Sequence, residues 1–366
     1  MLFDNVFQNK KIIVTGHTGF KGSWLSTWLI ELGAEVYGIS KDTPTSPSLF
    51  EELKLKDKLT HHIIDIRDSE KLSSTIHRVQ PDFVFHLAAQ PIVSTSYFEP
   101  SETITTNVIG TMNVLESLRG IKKECSAIII TSDKAYDNVE QVWGYIENDR
   151  MGGKDIYSGS KGAAELITKS YFNSYFIKNS NIKLAIGRAG NVIGGGDWAK
   201  DRIVVDCMLS WAIKEKVSIR NPEATRPWQH VLEPISGYLL LAQNLSESST
   251  SINGEAFNFG PRAEQNRNVL ELIKDLSSYW GFEDPSQSYI IDRTKDFDEA
   301  ALLKLNCDKA LALINWQANL IYENTIKFTG EWYSNFYNSD FDSYIETVKQ
   351  IDAYTEIAKQ NLAQWT

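Results

Sequence analysis

Two short clusters hold side chains that could do chemistry. Tyr157 and Lys161 stand four residues apart in YSGSK, and Ser132, Asp133 and Lys134 are consecutive in TSDKAYDN. On a helix, four-residue spacing puts Tyr157 and Lys161 on one face. An ammonium beside a tyrosine favours the phenolate, lowering a pKa that starts near ~10. Such a phenolate can take the proton of a substrate hydroxyl as hydride leaves the same carbon. Ser132 would bridge Tyr157 to the reacting oxygen, and Lys161 would hydrogen-bond a nicotinamide ribose. The plainer reading of Y-x-x-x-K alone is a tyrosine resting on a lysine stem. What favours chemistry is the set of elements around it.

The first of these is an N-terminal strand, turn and helix. Ile12, Ile13 and Val14 form an apolar run suited to a strand buried on both faces. Gly16, Gly19 and Gly22 punctuate the turn, and Ser23 to Leu32 resumes at helical spacing. Glycine lets a backbone come close to a diphosphate, and a helix N-terminus offers unpaired N–H groups. The spacing is G-x-x-G-x-x-G rather than G-x-G-x-x-G, and its plain alternative is a tight turn. Thr18 and Phe20, inside the turn, join the glycines as cofactor-binding candidates.

A second strand, Glu35–Ser40, should end near the adenosine ribose. Ser40 and Asp42 are the candidates there, while Lys41 equally suits a 2′-phosphate, so these residues leave NAD and NADP both open. Leu59–Asp68 ends in Asp65-Ile66, which could cover an adenine; the alternative is a solvated strand end. Asp82–Ala89 reads as a buried strand ending in Leu87, Ala88 and Ala89, where the backbone can pass close to a cofactor. Thr106–Leu118 reads as a helix presenting Asn107, and Ala127–Ser132 and Leu184–Asn191 as two more strands. The expected architecture is α/β, a Rossmann-like doubly wound parallel sheet with a smaller mixed α/β substrate-binding lobe. Residues 1–192 would carry the cofactor and the catalytic groups. Residues 193–366 would form the lobe, with Ala256–Phe259 a late strand that could return to the first domain. Ser246–Ser251 reads as an exposed loop and Asp340–Thr366 as a polar terminal helix.

Composition sets outer limits. The chain has 366 residues, 42% hydrophobic and 23% charged, as an ordinary globular protein does. A formal net charge of -10 argues against nucleic-acid binding. No apolar run approaches ~18 residues, and the first ten residues lack a signal-type apolar core, so no membrane span is expected. Cys125, Cys207 and Cys307 fit reduced thiols in a cytoplasmic protein. No histidine lies in a metal-ligand pattern, so no metal is expected. Adjacent His61 and His62 read as surface residues.

Further motifs sharpen the reading: GHTGFKGSWL, PTSPSLFE, HLAAQP, RAGNVIGGGDWAKDR and RPWQHVLEP. With these the chain resembles the extended short-chain dehydrogenase/reductase family. Within it the likeness is to sugar-nucleotide 4,6-dehydratases, on the branch that acts on CDP-glucose. The resemblance implies an NAD cofactor that stays bound and a nucleotide-sugar substrate. Tyr157 takes the C4 hydroxyl proton, the 4-keto sugar loses its C5 proton and then its C6 hydroxyl as water, and hydride returns to C6. Asp133 matches the acid that protonates the leaving hydroxyl. For this it must stay protonated near neutral pH, which burial can supply at about 4 kcal/mol. Lys134 stands where the dTDP-glucose branch has a glutamate base. It could act as base or as a cation stabilising the enolate.

Arg202, Arg226 and Arg262 suit the diphosphate because a guanidinium forks onto phosphate oxygens. Asn191 matches an asparagine placed near the phosphates in the family, and Gln90 follows the fourth strand beside the expected hexose. His230, Trp198 and Trp228 could wall the nucleobase or simply fill the lobe. The family pattern also implies a homodimer or homotetramer paired through the helices at Asn107 and Tyr157. An epimerase or a dehydratase of GDP- or dTDP-hexoses is the competing enzyme reading. Epimerases lack the Asp133–Lys134 pair, and their product keeps its mass. A non-catalytic nicotinamide-binding regulator would be expected to have lost Tyr157 or Lys161.

Overall fold

The computed structural model describes residues 1–178, 181–247, 250–262, 264–292 and 302–366. Its centre is β1, Lys11–Thr15, in which Ile12, Ile13 and Val14 are all 0% exposed. Each such side chain contributes about 1.5–3 kcal/mol by leaving water. Strands β2 (Glu35–Ser40), β3 (Thr60–Ile63), β4 (Phe83–His86), β5 (Cys125–Ile130), β6 (Ile182–Ala189) and β7 (Ala256–Phe259) complete the sheet. Among the described residues these strands are parallel, in the order β7-β6-β5-β4-β1-β2-β3.

Side chains alternate between two cores. Ile12, Val14, Phe85 and Ile128 face one layer with Trp24 and Trp28, while Ile13, Val84 and Ile129 face the other with Leu72, Val114 and Leu118. Burial on both faces is why these strands read as unbroken apolar runs. From β1 the chain runs outward one way through β2 and β3, and from β4 the other way. The crevice beyond the carboxyl ends of β1 and β4 is therefore the topological switch point, where ligands bind in such sheets.

Helix α1, Phe20–Glu31, begins directly after the glycine turn. Helix α2, Ser69–Val79, is capped by the Asp68 carboxylate. Next come α3, Pro100–Ile104, a π-turn at Thr105–Gly110, and α4, Thr111–Leu118. The expected single helix from Thr106 is thus the last part of a longer helical stretch, opened by Pro100 at a first-turn position it favours. Helix α5, Ile156–Tyr171, is capped by Asp155. Helix α6, Leu232–Ser246, is buried almost throughout. Two residues of the expected 246–251 loop, 248 and 249, lie outside the described residues.

The expected late strand is β7, and it pairs with β6 from Ala256↔Ile186 to Phe259↔Ala189. The terminal helix α7, Ser343–Gln360, lies against the body. Its Tyr354 and the nearby Trp365 meet Trp28, and Trp365 stacks on Phe3 at 4.9 Å. His61 is not a free surface residue: its Nδ1 pairs with His17 Nε2 at 2.8 Å, because β3 lies beside β2 under the glycine turn.

Candidate active site

The two chemistry-bearing clusters meet. Ser132 follows β5 and caps a short turn, its Oγ accepting from Lys134 N. Its hydroxyl also donates to Asp133 Oδ1 at 3.0 Å. Asp133 is 5% exposed, and burial raises its carboxyl above the ordinary range, against the pull of Lys134, Ser132 and Lys21. Gly190 makes the room: a Cβ there would sit 2.7 Å from Asp133 Oδ2. Lys134 is exposed beside this buried acid.

Helix α5 delivers Tyr157 and Lys161, both buried. Its inward face is bolted down one turn later by Glu165, which pairs with Arg188 of β6 at 2.6 Å and accepts from Thr131. Lys161 Nζ lies 5.9 Å from the Tyr157 ring centre. The expected lowering of the phenol pKa is not what this geometry gives. Burial dominates and pushes Tyr157 up to about 12, with a Ser132 hydrogen bond and Arg202 pulling the other way. Burial also brings Lys161 down to about 8.

The glycine turn fits a dinucleotide. Gly16 has φ +76°, and a Cβ on it would meet Ala88 N at 2.7 Å; a Cβ on Gly22 would lie 2.1 Å from Gly16 O. The backbone at Gly16 and Gly22 fits no side chain, and Gly19 stands just before α1, which no side chain caps. Thr18 ties the turn to Asp42 by donating to its carbonyl, and Phe20 is half-buried at the start of α1. Ala88 N donates to Thr15 Oγ1, which seats Leu87, Ala88 and Ala89 against the turn.

Other expected cofactor residues are placed differently. The Ser40 hydroxyl is joined to His17 Nδ1 at 2.9 Å. Both Asp65 oxygens accept from Arg67, which holds that carboxyl below its usual range, and Ile66 is buried against Gly110. Asn107 is 1% exposed and fully engaged, donating to Gln90 O and Ser160 Oγ and accepting from Gln90 N. It locks the Gln90 loop to α5 rather than facing a ligand.

On the lobe side, Arg202 forms an ion pair with Asp197 and acts electrostatically on Tyr157 and Lys21. Asn191 is half-buried, its carbonyl accepting from Gln229 N. Arg226 lies in a two-residue strand opposite Arg267, and Arg262 is exposed. His230 does not wall a nucleobase: it is 0% exposed, edge-on to Trp24 and Phe328. Trp198 and Trp228 are likewise in the core. Their apolar area is worth more inside the lobe than on a rim.

Sequence reasoning passed over Lys21. Its ammonium donates to Tyr238 at 3.4 Å, and burial with nearby Arg202 and Lys161 brings it down to about 7. A cation inside an otherwise glycine-rich turn was the available signal. No group of three His, Cys, Asp or Glu side chains among the described residues could hold a metal ion.

With this geometry in view, the chain matches the family model described as GDP-mannose 4,6 dehydratase over residues 13–329, and it belongs to that family. It is 45% identical to a CDP-glucose 4,6-dehydratase of Salmonella typhimurium, over 97% of this chain and 98% of that one. Among solved structures it superposes on a UDP-glucose 4-epimerase of Thermotoga maritima with TM-score 0.76 and 23% identity, covering 89% of this chain and 99% of that one. A dTDP-glucose 4,6-dehydratase of Bacillus anthracis, solved with NAD, gives TM-score 0.72 at 18% identity, with 89% and 97% covered.

Proposed function

We propose that the protein is an NAD-dependent CDP-glucose 4,6-dehydratase, converting CDP-D-glucose to CDP-4-dehydro-6-deoxy-D-glucose and water. The near full-length 45% identity supports the substrate. The structural observation that carries the reaction type is Asp133, a buried carboxyl that burial raises above the ordinary range, beside Ser132 and in the electrostatic reach of Tyr157. An epimerase has no use for such an acid.

The Gly16–Gly22 turn would hold NAD, which would supply a two-electron acceptor for C4 and, once reduced, a hydride donor for C6. Tyr157 Oη receives the C4 hydroxyl proton, and Ser132 Oγ orients that oxygen. Tyr157 is protonated in the free protein, with its pKa near 12. It must therefore release its own proton to solvent as substrate docks, leaving a phenolate whose charge the Arg202 and Lys161 cations offset. Lys134 assists loss of the C5 proton, as base or by facing the enolate oxygen as a cation. Asp133 then donates its proton to the C6 hydroxyl, which departs as water, and as hydride returns to C6 a proton is delivered back to C5. Arg202, Arg226, Arg262 and Asn191 hold the diphosphate, and Gln90 faces the hexose. The walls around Asp133 and Tyr157 exclude water and so strengthen each of these interactions.

The reading extends to a homodimer or homotetramer formed through α3–α5, supported by exposed Ile104, Ile109, Ile156 and Leu166 on that face. It places the protein in the cytoplasm, in keeping with three free cysteines. No described helix is long and apolar enough to cross a membrane. The test is incubation with CDP-, dTDP-, GDP- and UDP-hexoses, followed by mass spectrometry. Loss of one water from CDP-glucose is expected; a product of unchanged mass would favour epimerisation.

A further inference from the structure

The loops after β2 and β3 carry an ion cluster that the proposed chemistry does not use. Lys41 follows the last residue of β2, and Arg67 lies between β3 and α2. Glu102, on α3, reaches both. Lys41 Nζ is 2.9 Å from Glu102 Oε1, and Arg67 Nη1 is 2.8 Å from Glu102 Oε2. Arg67 turns its remaining nitrogens on Asp65, with Nη2 2.6 Å from Oδ2. Asp42 lies 3.9 Å from Lys41. Two cations thus face three carboxylates. The side chains are 28% to 58% exposed, so a ligand can reach them.

The end of β2 is where a bound dinucleotide places its adenosine ribose. NAD presents a neutral 2′-hydroxyl there, and NADP a dianionic phosphate. Lysine and arginine at that point are the side chains that would take the phosphate. We propose that Glu102 sets the cofactor preference: by holding Lys41 and Arg67 it withholds both cations from a 2′-phosphate, so the site takes NAD and rejects NADP. The inference rests on the dinucleotide reading of the glycine turn. The hydrogen bonds from Lys41 and Arg67 hold Glu102 below the ordinary carboxyl range, so it stays charged at neutral pH. The carboxylate that decides the matter comes from a different element than β2, so β2 alone reads ambiguously as Ser-Lys-Asp.

The experiment is calorimetric titration of the purified, nucleotide-free full chain with NAD and with NADP. The wild type should bind NAD about tenfold or more tighter than NADP. Glu102→Gln should tighten NADP about five- to tenfold, the scale of one partly exposed charge, and leave NAD nearly unchanged. Adding Lys41→Ala to Glu102→Gln should reverse most of that gain, while Lys41→Ala alone should leave NADP binding as it was. An unchanged NADP affinity in Glu102→Gln, or a loss parallel to that of NAD, would overturn the proposal. So would a gain that survives Lys41→Ala. If Glu102→Gln does not fold, a wild type that binds NADP as well as NAD, or a Lys41→Ala protein that loses NADP affinity, overturns it. A wild type that binds neither dinucleotide sinks the dinucleotide reading itself.

Discussion

At the scale of single residues, the account turns on two neighbours kept in opposite surroundings. Asp133 is buried, which raises its carboxyl above the ordinary range, while Lys134 next to it is exposed. Asparagine at 133 keeps the shape but has no acidic proton to give. Asp133→Asn should therefore cut dehydration about a hundredfold or more, the usual scale of a general acid. Oxidation at C4 should remain detectable as transient absorbance of the reduced cofactor; loss of both steps together would remove Asp133 from the elimination. Lys134→Met addresses the other half. C5–H exchange with D2O should collapse in that variant while C4 oxidation continues, and undiminished exchange would take Lys134 out of the step. Tyr157 and Lys161 were legible in sequence because four-residue spacing is a local fact. Their protonation was not, because burial in the folded chain outweighs any effect of one on the other.

At the scale of elements, the same division holds. The glycine turn, β1, β4 and the parallel sheet followed from short apolar runs and punctuation, all local signals. Asn107 and His230 were misplaced because their partners, Gln90 with Ser160, and Trp24 with Phe328, come from elements that only the fold brings near. Helix α6 supplies another such site. Glu233 is fully buried near its start and accepts from the backbone of Asn319 and Leu320 and from Tyr354 of α7. Burial pushes its carboxyl up to about 7. The folded state then favours the protonated form. This contribution is present below pH ~4.5, the unfolded carboxyl's range, and is lost as pH rises to about 7, a span worth about 3 kcal/mol. Glu233→Gln mimics the protonated acid. In urea unfolding its stability should match the wild type near pH 4.5 and exceed it at pH 8. An equal difference at both pH values would show that Glu233 does not titrate in this way.

For the whole molecule, the two ends of the chain close the fold together. Phe3 N donates to Trp365 O at 2.7 Å, and Phe3, Trp28, Tyr354 and Trp365 form one aromatic cluster behind α1. The helix that presents the glycine turn is thus braced from behind by the last residues of the chain. Trp365→Ala should cost about 3 kcal/mol of stability in urea unfolding while leaving activity per folded molecule unchanged. A loss under ~1 kcal/mol would mean that the cluster is ornamental to stability. This brace could not be read in sequence, where Asp340–Thr366 looks merely polar and helical. The central claim concerns the fate of one hydrogen, and it is tested by CDP-glucose deuterated at C4. The product should be lighter by one water and carry the deuterium on C6. Deuterium lost to solvent, or a product of unchanged mass, would contradict the account.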